Sequence, residues 1–571
     1  MARHMLELNK PRYDPIEAVM AKCLSGYSHG PEVFPAEGIL DPVPKGLPGT
    51  IDLSDRSIHP VYPHDSPMGR TQRILFSDKP TEFMKPEYVQ PEYSSSAPMY
   101  LRHVQQMITA ELCSKKHRSI KERGFARFFT VLKKVNDDGL AILRTILDCI
   151  TANLAFMVPD AVNLANLHAI LEAFANVAAM RTLDLRHMFH QVKVGEFLRS
   201  MFVVAFGALR LMWCVLPMGW TWACFCAQSI TMFAVAGDVA LTWTELPSFV
   251  KIGNVTVFVV YDNVLAGGPA EELDVFWSGL LERLEGMHAW VKEDSDVLAR
   301  DGSSLDSLGL RWTPAETGLS WELLPKFLSK VEEAMKLQHQ ESFSAKDAAA
   351  CVGLLSWGRY ATRNDICDLH GSYRALTDIV VSQGWGGRGA TKPFQHVFDS
   401  LAALKGMGRQ TFSPRTDEVL VYTDAHINGY GFVGGYPVVH HSSYWGIGAV
   451  YESRDMFYLE AIAAKQAVIT FAKVGRRIHL ATDNKALMYA LRKKSTSCPR
   501  TAFILHELFE HLRKMDCSLV VGWIPTEMNP ADELSRHETP TREKLLAAES
   551  HIEWTDPRGP QFGSKLGRVV G

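Results

Sequence analysis

None of the ten cysteines in this 571-residue chain belongs to a C-x-x-C pair, and only Cys224 and Cys226 lie close together. That argues against a zinc site and for a reducing compartment. Strong net charge is missing too: a formal value of −3 excludes a uniformly basic coat, so any surface for nucleic acid has to be local. No apolar N-terminal run precedes a small-residue cleavage site, which leads us to expect a cytoplasmic or nuclear protein without a membrane partner. Long apolar runs are scarce. One stretch, residues 211–237 (LMWCVLPMGWTWACFCAQSITMFAVAG), is uncharged and long enough to cross a bilayer. Its interior Pro217, Gly219, Gln228 and Ser229 predict a turn followed by a buried helix instead. We find no internal repeat of fixed period, which removes repeat architectures.

What is there reads as a large enzyme. The length is too great for a single core and implies about three domains. Residues 1–98 are rich in Pro, Gly and Ser, hold no helical or strand period for long, and are expected to form an extended, partly ordered arm. A helix is expected from about residue 99, then a basic segment, then a hairpin over 127–132 and 140–147 turning at 136–139. Residues 113–134 (CSKKHRSIKERGFARFFTVLKK) interleave Lys and Arg with Phe125, Phe128 and Phe129, a pattern suited to nucleic acid, whereas a run of charge alone is usually a solvated face. Strands and helices then alternate to about residue 320, which predicts a mixed α+β sheet. Residues 325–382 are mostly helical, and GWGGRGATKP marks a break near residue 390. A second α/β pattern begins beyond Thr411.

Two apolar strands end in acids, TLDLRHMF at Asp184 and VFVVYDN at Asp262. Paired strand-borne carboxylates beside an aromatic are what two Mg²⁺ ions need to hold a triphosphate and an attacking hydroxyl in line. In the C-terminal unit, acids fall in VYTDA (Asp424), YLEAIAA (Glu460), LATDN (Asp483) and NPADELSR (Asp532). An arbitrary Asp is most often a surface carboxylate or a helix cap. Four acids in order, on a first strand, an opening helix, a strand end and a last helix, reverse that expectation, because together they can converge on two metal ions. His440 and His441 fall in an expected exposed hairpin and are left out of the site.

These motifs resemble, over residues 118–312, the reverse transcriptase domain of retroelements and, over 418–536, the attached ribonuclease H domain. The resemblance implies a right-hand polymerase (fingers and palm at 99–320, helical thumb and connection at 321–410), then a ribonuclease H-like mixed sheet with helices at 411–540 and a tail at 541–571. It implies RNA- and DNA-templated DNA synthesis from dNTPs, with endonucleolytic removal of the RNA strand of an RNA-DNA hybrid. Partners would be an RNA template, a DNA primer and that hybrid, with room for other element-encoded proteins. Metal ligands would be Asp184 and Asp262, and Asp424, Glu460, Asp483 and Asp532, with two Mg²⁺ per site and Mn²⁺ as a substitute. Lys133 or Lys134 and Arg144 would clamp the nucleotide phosphates, and Phe189, five positions after Asp184, would exclude a 2′-hydroxyl. Met218 and Gly219 would lie at the nucleotide, Trp220 on the template side, and Leu308 and Gly309 in SLGLRW beneath the primer end.

The chain departs from the family pattern where a second aspartate is usual: Asn263 follows Asp262, and Val260 stands where a tyrosine is common. Asn263 offers a neutral oxygen and no charge, so weaker metal affinity or an altered Mn²⁺ preference is expected, not a dead site. Ile150 stands where an Arg is frequent and removes a template contact. GLLSWGRYATRNDICDLHGSYRAL and ADELSR look similar to tyrosine-recombinase retrotransposons (DIRS-like, Ngaro-like, VIPER-like). The competing readings are a domesticated scaffold with an impaired polymerase and a hybrid-specific nuclease.

Overall fold

The computed structural model describes residues 38–86, 101–116, 120–160, 162, 164, 167–206, 209–300, 302–315, 318–412, 415, 417–435, 438–446, 449–554 and 568–570. Half of the expected N-terminal arm (1–37 and 87–98), residues 99–100 and part of the basic segment (117–119) lie outside them. Where the arm is described, it is not extended. Pro67–Phe76 is a helix started by Ser66, whose Oγ accepts from the Gly69 amide at 3.0 Å, with Pro67 in the first turn. Met68, Ile74 and Leu75 bury its inner face together with Ile51, Leu53 and Tyr62. A ten-residue helix amid turn residues is too short to dominate a sequence window, and tertiary burial forms it.

The protein is a mixed α/β multidomain chain that divides into two compact units. Among the described residues, the smaller unit comprises Pro325–Arg359 and Asp368–Met407. Its helices include Pro325–Met335, His370–Gln383 and Gln395–Lys405, and its core sets Phe343 edge-on to Phe394 with ring centroids 5.2 Å apart.

The larger unit holds two principal sheets. The first has six strands in the order Val297–Arg300, Ala179–Asp184, Asn263–Gly268, Val255–Val260, Phe249–Ile252 and Arg568–Val570. Its inner strands are nearly continuous apolar runs because helices cover them, chiefly Ala223–Ala236 and Ala270–Gly286. The uncharged stretch is thus a turn followed by a buried helix, as its Pro and Gly residues predict. The expected hairpin forms between Arg127–Val135 and Ala141–Asp148, with Leu143, Thr145 and Leu147 buried and Arg144 exposed between them, a period of two.

The second sheet has five strands in the order Val439–Tyr444, Gly429–Gly434, Asp417–His426, Arg476–Thr482 and Ser518–Trp523. The last three run parallel, so their C-terminal ends, and the acids that follow them, collect at one edge. Helices Met456–Phe471 and Pro499–Lys514 pack together over this sheet and bury Ala464, Val468, Leu505 and Leu508. Arg477 pairs with both Glu172 and Glu418 and thereby ties this sheet to the helix Leu167–Phe174.

Candidate active sites

The first site is made by a hairpin and the strand beside it. Val260 pairs with Asn263, which leaves Tyr261 and Asp262 as a two-residue turn with Tyr261 at φ 57°. Asn263 in turn lies opposite Asp184, and the Leu185 amide donates to the Asp262 carbonyl at 2.8 Å. Register alone therefore sets Asp262 next to Asp184. Burial, and then the Asp184 charge, push the Asp262 carboxyl up to about 6. Lys292 is the counter-charge, its Nζ 3.2 Å from Asp184 Oδ2, while its backbone amide donates to the Asp184 carbonyl at 2.8 Å.

Two polar residues of the apolar helix hold this turn, and sequence reasoning missed their role. Fully buried Gln228 donates to the Val259 carbonyl at 3.0 Å and accepts from the Tyr261 amide at 2.7 Å. Thr231 donates to the Tyr261 carbonyl at 2.6 Å. A buried amide left unpaired costs about 1–3 kcal/mol, so this pair fixes the turn that carries Asp262. Gln228 and Thr231, three positions apart and so on one face of a largely apolar helix, were the available signal.

The second site lies at the edge of the parallel strands. Carboxylate oxygens of Asp424, Glu460 and Asp483 lie within 4.8 Å of one another. Asp424 and Asp483 each follow the paired threonines Thr423 and Thr482, and Glu460 enters from the first turns of its helix. Burial, then Asp483, push Asp424 up to about 8. Glu460 is held well above the usual carboxylate range by burial and by Asp424, and burial raises Asp483. Asp532 adds its charge to the cluster from outside the inner triplet, since its carboxylate pairs with Arg536 at 2.9 Å. Its short helix is fastened to the sheet by Asn529, which is fully buried, donates to the Thr423 carbonyl at 3.0 Å and accepts from the Ala531 amide at 3.1 Å. Gly431, the partner of Asp424 in the sheet, makes room for that helix, because a Cβ there would meet the Leu534 Cβ at 2.4 Å.

Both sites fit divalent cations. One carboxylate oxygen of Glu460 is buried without a hydrogen-bond partner, an acceptor among like charges that a cation would satisfy. At the first site Asp184, paired with Lys292 and acting electrostatically on the neighbouring Asp262, borders an open cleft of about 660 Å³ lined also by Asn263, Ser295, Asp306 and Arg311. A consequence can be measured. Asp424, whose carboxyl moves from an ordinary 3.8 to about 8 in the fold, stabilises the metal-free protein below 3.8, and that contribution is lost as the pH rises toward 8. Thermal melts without metal should show this loss. Mg²⁺ at a hundredfold excess over its Kd should restore about 2.7 kcal/mol at the alkaline end, and EDTA should remove it.

No family model and no curated protein matches the chain. Among solved structures, it is similar to the foamy viral protease-reverse transcriptase dRH in complex with double-stranded DNA, at 12% identity over 84% of this chain and 83% of that one, with a TM-score of 0.43. Foamy viral protease-reverse transcriptase with double-stranded DNA gives 14% identity, 76% and 86% coverage, and a TM-score of 0.42. Its complex with an RNA/DNA hybrid gives 12% identity, 78% and 58% coverage, and a TM-score of 0.42. At these scores, function has to be read from the sites themselves.

The remaining residues singled out from sequence divide by exposure. Arg144 is exposed, and Phe189 is half-buried in the short helix Met188–Gln191. Lys133 is held by Asp41, Nζ to Oδ2 at 2.7 Å, and the Lys134 side chain lies outside the described residues. Met218 is half-buried. Gly219 is exposed at φ 104°, and a Cβ there would meet the Leu147 carbonyl at 2.8 Å, so its own chain already requires the glycine. Trp220 departs from expectation: it is 2% exposed between Phe156 and Phe202, a core residue under the loop and not a surface for template. Leu308 and Gly309 form a tight turn at φ 52° and 80° between paired Ser307 and Leu310. His441 stacks on Phe432, with centroids 4.5 Å apart, away from the acid cluster's ligand set.

Proposed function

We propose that the chain is a reverse transcriptase with ribonuclease H activity, serving retrotransposon replication. The observation that carries this reading is the presence of two separate carboxylate centres, on two different sheets of one chain, each suited to divalent cations. Phosphoryl transfer needs little from a protein beyond positioning and charge stabilisation, and two-metal sites supply both. Bound Mg²⁺, or Mn²⁺ in its place, would provide Lewis-acid activation of the attacking oxygen and neutralise charge at the phosphate.

At the first centre, Asp184 and Asp262 would hold the cation, with the Asp262 turn fixed by Gln228 and Thr231. The exposed Arg144 guanidinium is suited to bidentate contact with triphosphate oxygens. Lys133 contributes once it leaves Asp41, and Phe189 presents bulk where a 2′-hydroxyl would sit. Met218 and Gly219 border the nucleotide, and the Leu308 and Gly309 turn supports the primer end. At the second centre, Asp424, Glu460 and Asp483 would hold the cation, with Asp532, paired with Arg536 in the metal-free protein, as the fourth acid available to it. An RNA-DNA hybrid is gripped through phosphates and 2′-hydroxyls, with little sequence preference.

The test is extension of a labelled DNA primer on an RNA template with dNTPs and Mg²⁺ or Mn²⁺, with RNA cleavage followed in the same tube. Extension together with cleavage is expected. Cleavage without extension under either metal would leave a hybrid nuclease, and neither activity would leave a scaffold.

A further inference from the structure

Asn263 has a partner that its sequence position does not reveal. The Ser307 hydroxyl donates to Asn263 Oδ1 at 2.9 Å. Ser307 is itself buried, and its Oγ lies 2.9 Å from Thr182 Oγ1, which donates to the Val264 carbonyl at 2.9 Å. Three side chains thus form one polar chain across three strands: Thr182 on the Asp184 strand, Asn263 on the hairpin strand opposite, and Ser307 on the strand that leads into the Leu308 and Gly309 turn. Ser307 is the last paired residue before that turn, so the bond to Asn263 is made where the hairpin begins to project. The turn has both central residues at positive φ and no side chain at Gly309 to anchor it.

We propose that Asn263 is a positioning residue, fastening the Ser307–Leu310 turn to the strand end that carries Asp184, and not a metal ligand. An aspartate here would accept the same hydrogen bond but would set a third carboxylate against Asp184 and Asp262, with Lys292 the counter-charge at Asp184. The neutral amide keeps the acceptor without that repulsion. The functional consequence, that the turn's position governs the primer end, rests on the polymerase reading; the fastening itself does not.

The test compares Asn263→Ala, Ser307→Ala, the double variant and Asn263→Asp in the full chain. Amide hydrogen exchange across residues 305–315 should speed up about fivefold to tenfold in both single alanine variants. The double variant should match Ser307→Ala, which already loses the Asn263 bond together with its contact to Thr182, so that removing Asn263 as well adds nothing. Asn263→Asp, which keeps an acceptor, should retain protection. In extension assays, both alanine variants should raise KM for primer-template by a similar factor while the Mg²⁺ concentration giving half-maximal rate stays within about twofold. Unchanged exchange in both alanine variants overturns the proposal. So does a raised Mg²⁺ requirement in Asn263→Ala with Ser307→Ala unaffected, which would make Asn263 a ligand. A wild-type chain that never extends a primer rejects the polymerase reading alone, because the exchange data still decide whether Asn263 holds the turn.

Discussion

Asp184→Ala should abolish primer extension, by about 10³-fold or more, while RNA cleavage by the same preparation continues at the wild-type rate. Each tenfold is about 1.36 kcal/mol of barrier, so this asks the carboxylate for roughly 4 kcal/mol of transition-state stabilisation. That is reasonable for one of two charges holding a cation against a triphosphate. The fold should tolerate the change: Asp184 is half-buried at a strand end, and its backbone bond to Lys292 needs no side chain. Asp262→Asn should have a similar effect on extension, and Asp262 adds a pH signature. Its carboxyl is pushed up to about 6 by burial and by Asp184, so below that pH a cation must displace a proton. The Mg²⁺ concentration for half-maximal extension should therefore rise about tenfold per pH unit below 6 and level off above it. A flat profile, or cleavage lost along with extension, would mean that the two centres are not independent.

The second large effect is on the nuclease. Asp424→Asn should reduce RNA cleavage by about 10³-fold and leave extension intact. It should also make the metal-free protein more stable at pH 8, because it removes a buried carboxyl whose ionisation is opposed by burial and by the neighbouring Asp483. Loss of activity combined with a gain in metal-free stability is the mark of a site whose acids are held together for a ligand and at a cost to the fold. If the variant is destabilised instead, Asp424 serves the packing of the sheet, and the assignment of the cluster as a metal centre fails. Asp532→Asn should have a smaller effect on metal-free stability, since its carboxylate is already paired with Arg536.

Strand and helix periods were legible along most of the described chain, because each reports local burial. The alternation of Leu143, Arg144, Thr145 and the apolar run at 255–260 correspond to the observed strands. So does the reading of residues 211–237 as a turn and a buried helix. The helix at Pro67–Phe76 was not legible, since its Ser-Pro start was masked by surrounding turn residues and its stability comes from distant core partners. Trp220 was misplaced for a related reason: motif position fixes a backbone location and says nothing of which way an indole turns.

The same division runs through the sites. By itself the sequence determined which residues carry charge, that Asp184 and Asp262 end apolar strands, and that four acids occupy strand ends and helix starts in the C-terminal unit. Only the tertiary structure decided that Asp424, Glu460 and Asp483 converge while Asp532 is held by Arg536. It alone paired Gln228 and Thr231 with the Asp262 turn, and Asn263 with Ser307. The physical reason is that periodicity encodes how far a residue is removed from water, whereas a buried polar atom is satisfied by whichever distant group the register brings within about 3 Å. That register is set by the packing of whole sheets.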